Sequence, residues 1–165
     1  MSRAHHNAAP ILVDDDDDET ARRAACHVLK RRILLADDDE QLQRAVTRIA
    51  EKHGYDVIHV TRGGDVVSRA AETKPELIVL DISFPDADGR DILSALKADA
   101  RTAEIGVLVW SGAVRDPESD RKISLSLGAE DYVEKTDAQT LLLKIERVLL
   151  RLDLARSAPG APATR

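Results

Sequence analysis

The chain has 165 residues, 43% of them hydrophobic and 33% charged. That balance fits one globular domain with chain to spare and excludes a wholly disordered polymer. Aromatic residues make up only 2%, so the core must be built from Leu, Ile, Val and Ala, and a base-stacking nucleic-acid surface is disfavoured. The single Cys26 excludes an internal disulfide and a Cys-based zinc cluster. The net charge of −6 comes from two clusters, six acids at 14–19 and four at 37–40; the other 20 acids face 24 Lys and Arg. No basic face is concentrated, so direct nucleic-acid binding is not expected. No apolar run approaches the roughly 20 residues that span a bilayer, and the opening 13 residues are too short in apolar length for a signal peptide. The default expectation is a cytoplasmic protein without membrane insertion.

In chain order, residues 1–31 precede the first regular strand. The segment ILVDDDDDETARRAACHVLKRR (11–32) repeats the pattern of ILLADDDEQLQRAVTRIAEKHG (33–54) at an offset of 22 residues. Ile11, Leu12, Asp15, Asp16, Asp17 and Arg22 match Ile33, Leu34, Asp37, Asp38, Asp39 and Arg44. This reads as a partial duplication of a strand–helix unit, with a helix over 19–31 whose acidic start and basic end suit the helix dipole. One such unit has no sheet of its own. Residues 1–31 are therefore expected to be a docked extension, with competition for the first strand position as the alternative.

Short apolar runs at 33–36, 57–60, 77–80, 107–110 and 132–133 read as buried strands. Between them lie helical spacings: Leu42, Val46, Ile49 and Ala50; Val66, Val67 and Ala70; Ile92, Leu93 and Leu96. Ile123, Leu125 and Leu127 mark a less regular fourth helix, and Leu141, Leu142, Ile145, Val148 and Leu149 a fifth. Gly54, Gly63-Gly64, Pro75, Pro85, Gly89, Gly112, Pro117 and Gly128 punctuate the series. Five strands alternating with five helices predict a doubly wound parallel α/β sheet. The domain is set at 32–152, with 153–165 as a flexible Ala/Pro-rich tail, although Leu150, Leu152 and Leu154 would let the last helix run on.

A doubly wound sheet carries its site at the carboxyl ends of its strands. There stand Asp37, Asp38, Asp39 and Glu40 after the first strand and Asp81 after the third. Ser111 and Gly112 follow the fourth, and Lys135 follows the fifth. Carboxylates without His or Cys favour a hard cation with oxygen ligands, Mg²⁺ above all. Asp81 can be a nucleophile toward phosphorus, Lys135 a second positive charge on the phosphoryl group, and Ser111 a hydrogen-bond donor to it. Alone, each has a plainer reading: a solvated acidic loop, a helix cap, a Ser-Gly turn, a surface lysine. Gly63-Gly64 lacks the Lys of a phosphate loop and reads as a turn into a helix.

Four stretches in this order resemble the receiver domain of bacterial response regulators, the family of the chemotaxis response regulator. They are ILLADDDE (33–40), LIVLDISFPDADG (77–89), VLVWSGA (107–113) and LGAEDYVEKT (127–136). The resemblance spans about two thirds of the chain. It implies a flavodoxin-like sheet of strand order 2-1-3-4-5. It also implies Asp81 as phosphoacceptor, with Asp37, Asp38, Asp81 and the Ser83 carbonyl holding Mg²⁺. Lys135 would pair with the phosphoryl group, and Ser111 and Tyr132 would form the switch. Pro85 and Gly89 would shape the loop after the nucleophile, where Phe84 replaces a common Met. Ser83 and Ala113 would tune dephosphorylation, their small size leaving water access open. After Lys135 the family usually has a cis proline. Here it is Thr136, and since a non-proline cis bond costs about 2.5–4 kcal/mol, that loop is expected to be strained or trans.

The expectation is a stand-alone receiver, not an enzyme, phosphorylated by a histidine kinase or phosphotransfer protein. It would signal in trans through the face of its fourth helix, fifth strand and fifth helix; a homodimer is left open. Two rivals stand beside it. One is a pseudo-receiver that binds protein without phosphorylation. The other is a phosphatase-type hydrolase, against which Ser83 stands where such enzymes carry a second Asp.

Overall fold

The computed structural model describes residues 30–112, 116–135 and 137–157. The expected helix at 19–31 falls almost wholly outside them, as do the rest of the extension, Ala113, Thr136 and the last eight residues.

Five parallel strands form one sheet: β1 (Arg31–Ala36), β2 (Tyr55–Val60), β3 (Leu77–Leu80), β4 (Gly106–Ser111) and β5 (Asp131–Glu134). Their order is β2-β1-β3-β4-β5, as the resemblance implied. Five helices connect or follow them: α1 (Glu40–Lys52), α2 (Val66–Thr73), α3 (Gly89–Ala98), α4 (Pro117–Ser126) and α5 (Ala138–Ser157).

The runs that read as strands are apolar throughout because both sheet faces are covered. Alternate side chains take opposite sides. Ile33, Leu35, Leu77, Val79, Leu108 and Trp110 pack with α1 and α5. Leu34, Ala36, Ile78, Leu80, Val107 and Val109 pack with α2 and α3. Helix starts follow from side-chain caps. Asp39 accepts from the amides of Gln41 and Leu42, Asp88 from Arg90, and Asp116 from Ser119, where Pro117 opens α4. Asp137 likewise accepts from the Thr140 amide and hydroxyl.

Two boundaries need correction, and the fourth helix is irregular, as its spacing suggested. Arg31 is not the end of a helix; it opens β1, paired in register with Tyr55. In α4, Ile123 and Leu125 are 37% and 38% exposed, while Asp120 and Ser124 turn inward. Residues spaced by two lie about 200° apart on a helix and cannot share a face; positions 120 and 124 can, and Asp120 is met there by Arg90 at 3.4 Å.

The last helix also continues to Ser157, through five residues assigned to the tail. Two contacts hold it. The Leu152 methyl lies where a Cβ on Gly106 would stand, at 2.6 Å. Arg31 forks onto Asp153 through two bonds of 3.0 Å while its Nε reaches Glu76 at 2.7 Å.

Ending the chain after Arg151 removes the Leu152 plug and the Arg31 partner together. We expect a loss of about 1–2 kcal/mol in urea denaturation, a half-buried leucine plus a part-exposed ion pair. Ending it after Ser157 is expected to leave the midpoint unchanged.

Candidate functional site

Strand order decides which carboxylates meet. Because β1 and β3 are neighbours, the residues that follow them are too, and the Asp81 amide donates to the Ala36 carbonyl at 2.9 Å. Asp37 is 0% and Asp81 3% exposed, while Asp38 faces solvent. Carboxylate oxygens of Asp37, Asp38 and Asp81 all lie within 4.8 Å of one another. From β5, Lys135 reaches across the end of β4. Its amide donates to the Ser111 carbonyl at 2.6 Å, and its Nζ lies 2.8 Å from Asp81 Oδ2 and 2.6 Å from Asp37 Oδ2. The ammonium also sits 5.5 Å from the ring centre of the buried Trp110.

Burial pushes the Asp37 carboxyl above its ordinary range, only partly offset by Lys135 and the Asp39 amide. Burial also works against the Lys135 charge, but the bonds from Asp37 and Asp81 outweigh it and raise its pKa. One ammonium cannot balance three clustered carboxylates, and Asp81 Oδ1 is buried without a hydrogen-bond partner. An orphaned carboxylate oxygen facing two further carboxylates is a donor set for a hard divalent cation. The residues present therefore fit Mg²⁺.

The loop after Asp81 is held at three points. Gly89 donates to the Ile82 carbonyl at 2.8 Å, and a Cβ there would stand 2.3 Å from the Asp81 carbonyl oxygen, so only glycine fits. Ser83 bridges to Asp88 and is exposed. Asp86 accepts from the amides of Gly63 and Gly64 at 3.0 and 3.1 Å, and these bonds lower its pKa. The Gly63-Gly64 turn thus cradles this chain's own carboxylate. That anchor was not foreseen; the paired glycines were its only local signal.

Ser111 ends β4 and Tyr132 stands two residues before the end of β5, on the neighbouring strand opposite Val109; they are 0% and 4% exposed. Neither hydroxyl makes a well-formed hydrogen bond, although the two are close enough for Ser111 to offset part of the rise that burial gives the Tyr132 pKa. Asp37, Asp38, Asp81 and Lys135 therefore meet in one cluster, Ser111 and Tyr132 form a neighbouring pair, and Ser83 stands in the loop two residues beyond Asp81. Because Thr136 is outside the described residues, so is the peptide bond after Lys135.

Comparison with known proteins agrees with this fold. The family model for the response regulator receiver domain matches residues 33–146. Protein PilH of Pseudomonas aeruginosa is 36% identical over 105 residues, which cover 63% of this chain and 85% of PilH. The alkaline phosphatase synthesis transcriptional regulatory protein PhoP of Bacillus subtilis is 32% identical over 106 residues. That match covers 64% of this chain but 42% of PhoP, so the chain spans less than half the length of that relative. The crystal structure of a CheY-like response regulator receiver domain protein from Methanospirillum hungatei superposes with a TM-score of 0.68 at 26% identity, over 76% of this chain and 98% of that one.

Replacing Lys135 by Met leaves Asp37 and Asp81 facing each other without a counter-charge. The Asp37 pKa, already raised by burial, rises further. A carboxyl whose folded pKa exceeds its unfolded value stabilises the fold only while protonated, so stability falls as pH climbs from the unfolded pKa to the folded one. The variant is expected to lose about 2–3 kcal/mol at pH 7.5 and much less at pH 4.5, read by urea denaturation without divalent cations. An equal loss at both values would contradict this.

Proposed function

The chain belongs to the response regulator receiver family, and on that premise we propose that it accepts a phosphoryl group on Asp81 and signals by the change that follows. The observation that carries this reading is the shared Lys135 ammonium between Asp37 and Asp81, beside an unpartnered Asp81 oxygen. In transfer from a phosphohistidine, an Asp81 carboxylate oxygen bonds to phosphorus while the P–N bond breaks and the imidazole leaves with its electron pair. Mg²⁺ held by Asp37, Asp38, Asp81 and the Ser83 carbonyl would supply positive charge to the phosphoryl oxygens. Lys135 exchanges its carboxylate partners for a phosphoryl oxygen, and the Ser111 hydroxyl gains an acceptor. Asp37 stays at the base of the site, its position set by main-chain bonds.

The donor class is a histidine kinase or phosphotransfer protein, and the protein is a signalling phosphoacceptor, at most taking phosphate from small donors and releasing it again. The stand-alone reading leans on PilH, most of whose length the match covers. The target is a protein bound in trans at a groove of about 570 Å³ between α4, β5 and α5, lined by Pro117, Arg121, Tyr132, Glu134 and Lys144 among others. Tyr132 lines this groove and lies against Ser111, which supports a route from the switch pair to the target. Among the described residues no helix is long and apolar enough to cross a membrane, and a cytoplasmic setting belongs to the same reading.

Intact-mass measurement after incubation with Mg²⁺ and acetyl phosphate tests this. Wild type is expected to gain one labile phosphate, and Asp81→Asn none. If wild type gains none and also fails to bind beryllofluoride, the fold serves as a pseudo-receiver instead.

A further inference from the structure

One buried polar side chain near the cluster is neither a cap nor a ligand. Gln43, in the first turn of α1, is 1% exposed. Its Nε2 donates to the carbonyl oxygens of Asp37, at 2.5 Å, and Val60, at 3.0 Å. Two carbonyl acceptors fix which end of the amide is nitrogen. Oε1 must then accept, and it lies 2.6 Å from His59 Nδ1, so that nitrogen carries the proton. His59 Nε2 is 2.8 Å from the Thr47 hydroxyl, whose one proton goes either to that nitrogen or to the Gln43 carbonyl 2.8 Å away. The contacts form a closed unit joining the edge strand β2 to α1.

The unit acts on the first acidic residue. The Asp37 amide already donates to the Val60 carbonyl at 3.0 Å. Gln43 takes hold of the Asp37 carbonyl as well, so the peptide leading to Asp38 is clamped against the end of β2. Asp37, Asp38 and Asp81 repel one another, and a loop held only at its ends would relax outward before any cation arrived. The clamp opposes that relaxation without adding charge.

We propose that Gln43, oriented by His59, is a positioning residue for divalent-cation binding: it holds the Asp37–Asp38 peptide so that both carboxylates stay within reach of Asp81. This rests on the reading of the cluster as an Mg²⁺ site. Removing a second-layer contact of this kind weakens metal binding by about tenfold or more. The clamp sets geometry and takes no part in phosphoryl transfer, so the maximal rate at saturating Mg²⁺ should stay the same.

The experiment measures the Mg²⁺ concentration giving half-maximal phosphorylation by acetyl phosphate, alongside a titration with Mg²⁺ alone followed by Trp110 fluorescence. Wild type, Gln43→Leu and His59→Ala are compared. Gln43→Leu is expected to need about tenfold more Mg²⁺ and His59→Ala roughly threefold more, each reaching a maximal rate within twofold of wild type. A merely structural Gln43 would lower the melting temperature and the maximal rate and leave the Mg²⁺ midpoint in place, and that result overturns the proposal. If Gln43→Leu does not fold, His59→Ala decides, because His59 is exposed; an unchanged midpoint there overturns it too. A wild type without any Mg²⁺ response sinks the metal site and the positioning role with it. Nitrogen-15 NMR of the metal-free chain gives a separate check: a proton on His59 Nε2 alone would break the clamp as described.

Discussion

The ammonium of Lys135, shared between Asp37 and Asp81, is the contact on which the strand-end architecture depends. Two carboxylates about 4 Å apart repel by roughly 4 kcal/mol at an effective dielectric near 20, and this fold forces such a pair together by placing β1 beside β3. Lys135 makes the arrangement tolerable, and its own position is set by the main chain. Its amide bond to Ser111 ties β5 to β4, and the buried Trp110 face lies beneath its charge. The cluster is thus stable enough to fold yet still short of positive charge. Under the proposed reading, that residual deficit is what a cation and then a phosphoryl group would meet.

Neighbouring segments meet the same electrostatic problem by fixing backbone. Asp86 spends its carboxylate on the Gly63 and Gly64 amides, so it adds no charge to the cluster and pins the loop that follows Asp81. Gln43 ties the Asp37 carbonyl to β2 with an uncharged amide. Gly89 lets α3 begin directly against the Asp81 carbonyl. In each case, holding the main chain keeps the acidic side chains from relaxing apart.

These anchors mark where sequence reading stops. The strands were legible because runs such as LIVL at 77–80 are apolar on both faces, and the site residues because parallel topology forces every strand's carboxyl end to one edge. Strand order was not readable from periodicity; it came from the resemblance of four motifs. Gln43 was missed because a glutamine in a helix reads as solvent-facing, and its partner Val60 lies 17 residues away. Asp86 reads as an ordinary turn residue until the Gly63 amide, 23 residues earlier, is placed beside it. The leucines at 150, 152 and 154 hinted that α5 runs on, but the contact that holds it needs the absent side chain of Gly106, which no local pattern discloses.

The same accounting shows which part of the molecule can move. The buried Ser111 and Tyr132 hydroxyls make no well-formed hydrogen bond and have only each other nearby, and an unsatisfied buried group costs about 1–3 kcal/mol. Under the proposed reading, a phosphoryl group on Asp81 offers Ser111 an acceptor, and a gain of 1.4 kcal/mol moves a two-state equilibrium tenfold. The helix bordering the groove that Tyr132 lines is α4. α4 leaves Ile123 and Leu125 largely outside and turns Asp120 and Ser124 inward. Its tie to α3 is the Arg90–Asp120 ion pair at 3.4 Å, and part-exposed pairs of this kind are worth little individually. A helix with two such pairs, the second from Arg121 to Asp131 of β5 at 3.8 Å, and bordering the groove that Tyr132 lines, can be displaced by a small local change. The other four helices are held by interlocked Leu, Ile, Val and Ala side chains and would resist the same push.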